Sequence, residues 1–395
     1  MPAKLPVGEP YWIAGNPDNA MLSRIESIIA WASPLARYQG PGNTPAPNGT
    51  IILFEPDFLD RAAAFIREGV APERIRCMPI PENYPWAFWD VWGWFDPRPD
   101  LRAQIASFAA YKHAVEACSY LGGAKMASRV NDWQSLAESH LYWGQHREQL
   151  NSHKADMEKV SQRLADDHSR EIFDLVLRSD PQELWTHFTH TVFRACDYLE
   201  HDGPRPGETV LNLGVFSGHE LPYFLALVDN GIIHNLDPLG HDLLSDYARK
   251  TLSTRPHNVR ESRIAAGATH KMEYFKLYAD GQMCLSSKGT PGADIIFYIQ
   301  PLDEYVEVQK IEKVHFIKID IEGMEPDALT GLQKTVQRDR PTLSLAIYHA
   351  PEHLWSLPLR LMSELENYDF YIDHFSPVRW ETVLTAVPKE RASYK

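Results

Sequence analysis

The sequence predicts an α/β protein with a Rossmann-like sheet in its C-terminal half, a smaller α/β domain at its N-terminus and helices between them. Three observations carry this reading. From residue 208 onward, short apolar runs alternate with helical patterns, as parallel sheets with crossover helices require. Residues 1–100 show the same alternation on a smaller scale. Finally, residues 314–325 read Val-His-Phe-Ile-Lys-Ile-Asp-Ile-Glu-Gly-Met-Glu, an apolar strand that breaks into carboxylates and a glycine. The carboxyl end of a strand, at its turn into a helix, is where open α/β sheets bind ligands.

In chain order, the first domain (1–100) is expected to hold strands at 11–14, 51–54 and 74–78 and helices at 21–31 and 60–68. The loop Gly15-Asn16-Pro17-Asp18 lacks a GxGxxG fingerprint, so this small Rossmann-like domain is expected to bind no dinucleotide. Residues 82–96 concentrate Tyr84, Trp86, Phe88, Trp89, Trp92, Trp94 and Phe95. Such rings stack on flat ligands but more often fill an interface, and here they are expected to pack or to overhang the acceptor site. Residues 101–200 form a helical connector, with helical spacing at 101–118 and 145–184 and an Asp-Asp-His-Ser cap at 166–169. The run His201-Asp202-Gly203-Pro204-Arg205-Pro206-Gly207 marks a boundary, so the last domain spans 201–395.

Composition narrows the function. The net charge of −14 argues against general nucleic-acid binding, which needs clustered Lys and Arg. The 44% hydrophobic share is that of a folded chain, and no apolar run is long enough to span a membrane. The four cysteines are scattered without CxxC spacing, and the N-terminus lacks a signal-peptide core; a reducing cytoplasmic setting is expected. The expected partner is therefore a small molecule, with homo-oligomerisation left open.

The last domain opens with a strand at 209–213, a turn from Gly214 to Gly218, a helix at 220–228 and a second strand at 232–236 ending in Asp237. This is a nucleotide-binding βαβ pattern: glycines let backbone approach the ligand, and an acid about 20 residues on takes the ribose hydroxyls. Asp237 lies 25 residues after Asn212. Further strands are expected at 259–266, 295–299, 314–319, 343–348, 370–373 and 382–387. A close on a long helix and a hairpin is what class I methyltransferases do, whereas nicotinamide dehydrogenases continue with parallel units.

The C-terminal half resembles the FkbM family of S-adenosylmethionine-dependent methyltransferases. The resemblance rests on Phe316-Ile317-Lys318-Ile319-Asp320-Ile321-Glu322-Gly323-Met324-Glu325, with Leu302-Asp303-Glu304-Tyr305 before it. Arg340-Pro341-Thr342-Leu343, Tyr348-His349-Ala350-Pro351-Glu352-His353-Leu354-Trp355 and Glu381-Thr382-Val383-Leu384 follow, and Leu164–Arg170 resembles a helical stretch of longer members. The resemblance implies a seven-stranded class I methyltransferase sheet and S-adenosylmethionine as cofactor. Cofactor-binding residues would be Asn212, Gly214, Phe216, Ser217, Gly218, Asp237 and Ala266. One departure stands out: the family's first strand usually ends in aspartate, and here Asn212 offers an amide without the charge to hold the cofactor's ammonium.

Methyl transfer to oxygen needs an acceptor held in place and a group that helps remove its proton. Asp320, Glu322 and His349 are the expected catalytic groups, with His349 favoured as proton acceptor because its ordinary pKa suits neutral pH. Asp320 and Glu322 are also an expected pair for a magnesium ion. Three functions compete: an O-methyltransferase acting on a sugar, polyketide or related metabolite, a catalytically silent methyltransferase-like scaffold, and a nicotinamide-dependent oxidoreductase.

Overall fold

The computed structural model describes residues 141–181 and 198–391 with several short breaks, and before them chiefly four strand segments. The chain divides into two compact units. The first comprises residues 1–145, 178–200 and 375–380; the second comprises 146–177, 201–374 and 381–395.

In the first unit β1 (Pro10–Ala14) pairs in parallel with β2 (Arg37–Gly42) and β3 (Thr50–Leu53), and β3 pairs with β4 (Ile75–Cys77). Three of these strands fall where the apolar runs place them; β2, with its Gly-Pro-Gly end, carries no such run. The predicted helices at 21–31, 60–68 and 101–118, the loop at 15–18 and the aromatic segment 82–96 lie outside the described residues.

The second unit begins with three helices, α1 (Arg147–Ser152), α2 (Lys154–Arg163) and α3 (Asp167–Arg178). Asp166 starts α3 by accepting the Ser169 N–H at 2.7 Å, the N-cap interaction that satisfies a helix's unpaired first donors. The helix thus begins at Asp167, inside the predicted Asp-Asp-His-Ser cap. The Ala165 N–H bonds Phe370 O at 2.8 Å, tying this segment to the sheet of the same unit.

That sheet has seven strands. β5 (Thr209–Leu213), β6 (Ile232–Leu236), β7 (Val259–Ser262), β12 (Phe316–Ile319), β13 (Thr342–Ala346), β14 (Tyr368–His374) and β15 (Thr382–Pro388) are ordered β7-β6-β5-β12-β13-β15-β14. The first five run parallel, and β15 inserts antiparallel between β13 and β14. Every residue of β12 and β13 is buried, as expected for central strands covered on both faces. Crossovers come from α4 (Leu221–Val228), α5 (Leu302–Val308), α6 (Glu325–Gly331), α7 (Gln333–Asp339) and α8 (His353–Glu364).

The expected strand at 259–266 is two strands. A turn closed by Ile264 N–H on Ser262 O, 3.0 Å, ends β7. The following β8 (Ala265–Ala266) joins a second sheet with β9 (Lys271–Leu277), β10 (Met283–Ser286) and β11 (Ile295–Gln300), ordered β10-β9-β11-β8. The 295–299 run therefore leaves the main sheet. One side of β11 packs with Ala265, Phe275 and Met324, while Ile296 and Tyr298 on the other are about half exposed. No described helix is long and apolar enough to cross a membrane.

Candidate active site

The strand order reverses direction between β5 and β12, and at that switch point the carboxyl ends of both strands turn into loops. Asp320 N–H bonds Leu213 O at 3.1 Å and Gly214 N–H bonds Leu236 O at 3.0 Å, so the two turns are stitched together. Gly214 has φ +74°, and a Cβ there would lie 1.7 Å from Asp320 O. Only glycine lets the two backbones approach so closely. Glu322 also sits at positive φ, +56°, followed by Gly323 at +101°. A non-glycine residue held there is a strained position of the kind that gathers at functional turns.

The KIDIEG turn converges on one imidazole. His349 Nδ1 lies 2.9 Å from Glu325 Oε1, and its Nε2 lies 3.3 Å from Asp320 Oδ1 and 3.6 Å from Glu322 Oε2. Glu325, the first residue of α6, is fully buried and also accepts the N–H groups of Ile321 (3.0 Å) and Gly323 (3.3 Å). His353 Nδ1, from the start of α8, lies 3.4 Å from the other Glu325 oxygen. Burial opposes a charge on His349, but Glu325, Glu322 and Asp320 outweigh it and raise the imidazole to about 10. Burial likewise opposes ionisation of Glu325, yet His349 holds its carboxyl well below the usual range. Burial, with the neighbouring His349, pushes His353 down against the pull of Glu325. Burial, and after it the neighbouring Asp320 and Glu325 carboxylates, push the Glu322 carboxyl up, while water at its 42% exposed side chain limits the effect.

Next to this cluster, Lys318 is 2% exposed, and its ammonium bonds Gly214 O, 3.8 Å from Asp320 and 3.9 Å from Glu220. Asp320 also accepts the Tyr348 hydroxyl at 3.3 Å.

The predicted cofactor residues separate in the structure. Asn212 is fully buried; its amide donates to Glu220 Oε1 (2.8 Å) and Asn235 Oδ1 (3.0 Å). Asp237, at the end of β6, is buried. Its Oδ2 accepts the Val215 and Phe216 N–H groups at 2.9 and 3.0 Å, and Oδ1 accepts Leu239 N–H at 2.8 Å. The acid braces the glycine turn, because a buried turn must satisfy its backbone donors. Gly214, Phe216 and Gly218 have positive φ and form that turn; Ser217 lies outside the described residues. Ala266 is buried beside Ala265, which packs on Met324 of the KIDIEG turn.

Among the described residues, the ligand atoms of Asp320, Glu325 and His349 lie within 4.8 Å of one another, a group that leaves out Glu322 of the expected magnesium pair. Magnesium demands oxygen ligands, and two cationic side chains already stand against Asp320. These residues do not fit a magnesium ion. Sequence reasoning missed Glu220 and His353, whose roles arise only when distant segments meet.

The strand order, with one antiparallel strand wedged beside the fifth parallel one, defines a class I methyltransferase fold. Residues 252–372 match the family model of the methyltransferase FkbM domain, so the resemblance read from the KIDIEG segment is borne out there. Among solved structures, a methyltransferase FkbM from Methylobacillus flagellatus KT is similar at 15% identity and TM-score 0.39, over 96% of this chain and 90% of that one. The O-methyltransferase TomG from Streptomyces achromogenes, solved with S-adenosylmethionine, is similar at 11% identity and TM-score 0.29, over 59% of this chain and 89% of that one. A search of curated proteins finds none similar in sequence.

Proposed function

We propose that the second unit binds S-adenosylmethionine at the β5–β12 switch point and methylates a hydroxyl of a sugar, polyketide or related small molecule. The observation that carries this reading is the set of carboxylates gathered on His349 at the end of β12, inside an FkbM-matched methyltransferase fold. When bound, the cofactor supplies a methyl group on a sulfonium, an electrophile that needs orientation more than activation. The close approach at Gly214 brings the β5 and β12 turns together, and the carboxylates of Asp320, Glu325 and Glu220 there suit a cationic ligand.

The proton acceptor is Glu322 rather than His349. A histidine raised to about 10 is already protonated at neutral pH and cannot take another proton. Glu322 is the most exposed acid of the cluster and its pKa is raised, both of which suit a general base. His349 then orients Asp320 and Glu322 through Nε2, with Glu325 locking its ring.

Glu322→Gln should lower methyl transfer about 10²–10⁴-fold, the usual contribution of a general base, while S-adenosylmethionine affinity stays constant. Undiminished turnover would remove Glu322 from the mechanism. Asn212, an amide where the family has an acid, favours a second reading, a scaffold that binds cofactor without transferring methyl. Labelled methyl appearing on any hydroxylated acceptor excludes that reading.

A further inference from the structure

Asn212 and Glu220 form a buried pair outside the catalytic cluster, and their chemistry answers the missing acid of the first strand. In register across the sheet, Thr385, Ser344, Lys318, Asn212, Asn235 and Glu261 make one row of polar residues. Within it a hydrogen-bonded chain runs from Glu261 through Asn235 (2.7 Å) and Asn212 (3.0 Å) to Glu220 (2.8 Å). Glu220 is acceptor-only when ionised, so the Asn212 amide must present its nitrogen to it. Both amide hydrogens are then in use, and Asn212 Oδ1 is left buried without a donor. An unsatisfied buried acceptor is destabilising and rare enough to need a reason.

Glu220 is itself 3% exposed, at the start of α4 and directly after the Gly214–Gly218 turn. Its described cation, Lys318, stands 3.9 Å away and is shared with Asp320 and with Gly214 O. A buried carboxylate beside an orphan acceptor is suited to a small cation with several N–H donors.

We propose that Glu220, held in place by Asn212, recognises the α-ammonium of the cofactor's methionine portion, with Asn212 Oδ1 accepting a second of its N–H donors. The charge that the strand end lacks is thus supplied eight residues on, from the helix. This assignment rests on the methyltransferase reading above.

The test is calorimetry with two ligands: S-adenosylmethionine, and 5′-methylthioadenosine, which keeps the nucleoside but has no amino-acid portion. Glu220→Gln should weaken S-adenosylmethionine about ten- to a hundredfold, the scale of a charge-assisted hydrogen bond, and leave methylthioadenosine unchanged. Equal weakening of both ligands, or of neither, overturns the assignment. Asn212→Asp, which looks like a restoration, should weaken the cofactor as well, because aspartate cannot donate to Glu220 and sets two carboxylates side by side. Tighter binding in that variant would place the ammonium at the strand end and refute the proposal. Should Glu220→Gln fail to fold by circular dichroism, the wild-type protein still decides. S-adenosylhomocysteine must bind at least about tenfold better than its des-amino analogue, and equal affinity overturns the ammonium site. Wild-type protein that binds neither S-adenosylmethionine nor methylthioadenosine would instead sink the methyltransferase reading itself.

Discussion

His349 is held toward its charged form by Glu325, Glu322 and Asp320, and this pairing organises the KIDIEG turn. Its pKa is raised above the value near 6.5 of an unfolded histidine. Pairing therefore stabilises the fold fully below about pH 6.5 and is lost as pH rises through about 10. Nitrogen-15 NMR of the imidazole should show it protonated from pH 6 to 9, and a midpoint near 6.5 would contradict the clamp. Glu325→Gln should bring that midpoint down and cost about 3–5 kcal/mol of stability, since it leaves a buried cation facing a neutral partner. Asp320, Glu322 and His349 were legible in the sequence because strand alternation and sheet order alone bring them to one edge. The role of Glu325 was not, because it depends on the turn folding back so that one carboxylate meets two backbone N–H groups and an imidazole. Glu220 belongs to no motif and His353 lies in the 348–355 segment without a role read from it; only tertiary placement gives them partners.

Among the elements, the two turns at the switch point are one structure. Gly214→Ala should push the KIDIEG turn away from β5, destabilise the domain by about 3 kcal/mol and abolish cofactor binding. Wild-type melting temperature and affinity in that variant would show that the close approach is unimportant. Asp237→Ala separates two roles. A residue that only held ribose would lose affinity at constant stability, whereas Asp237 also accepts three backbone N–H groups, so both should fall. Unchanged thermal stability would refute the bracing role. The strands β5 and β6 coincide with their apolar runs because glycine, proline or aspartate punctuates both ends. β9 was not legible: Lys-Met-Glu-Tyr-Phe-Lys-Leu mixes charges into a strand with partly exposed positions, which blurs the alternation. The division of 259–266 between two sheets likewise depends on a tertiary turn rather than on composition.

For the whole molecule, stability in acid should depend on a second buried carboxylate far from the catalytic turn in sequence. Asp373 on β14 pairs with His201 and, at 3.3 Å, with His168. Burial resists its ionisation, but the histidines outweigh it and depress the pKa. The contribution is therefore present above the unfolded value of about 3.9 and lost as pH falls below it. Asp373→Asn should cost about 3 kcal/mol at pH 7 and flatten the acid limb of the stability curve; an unaltered acid limb would exclude the clamp. The seven-stranded sheet was legible through the family resemblance, whereas the apolar runs alone gave eight strands, because nothing in the 295–299 run shows that it pairs in the second sheet. The central claim, a methyltransferase site at the β5–β12 edge, is tested most directly by titrating the protein with S-adenosylmethionine and with NADH in parallel calorimetry. Saturable one-site binding of S-adenosylmethionine, retained in Glu322→Gln and absent with NADH, is the expected result. Binding of NADH without S-adenosylmethionine would contradict the account.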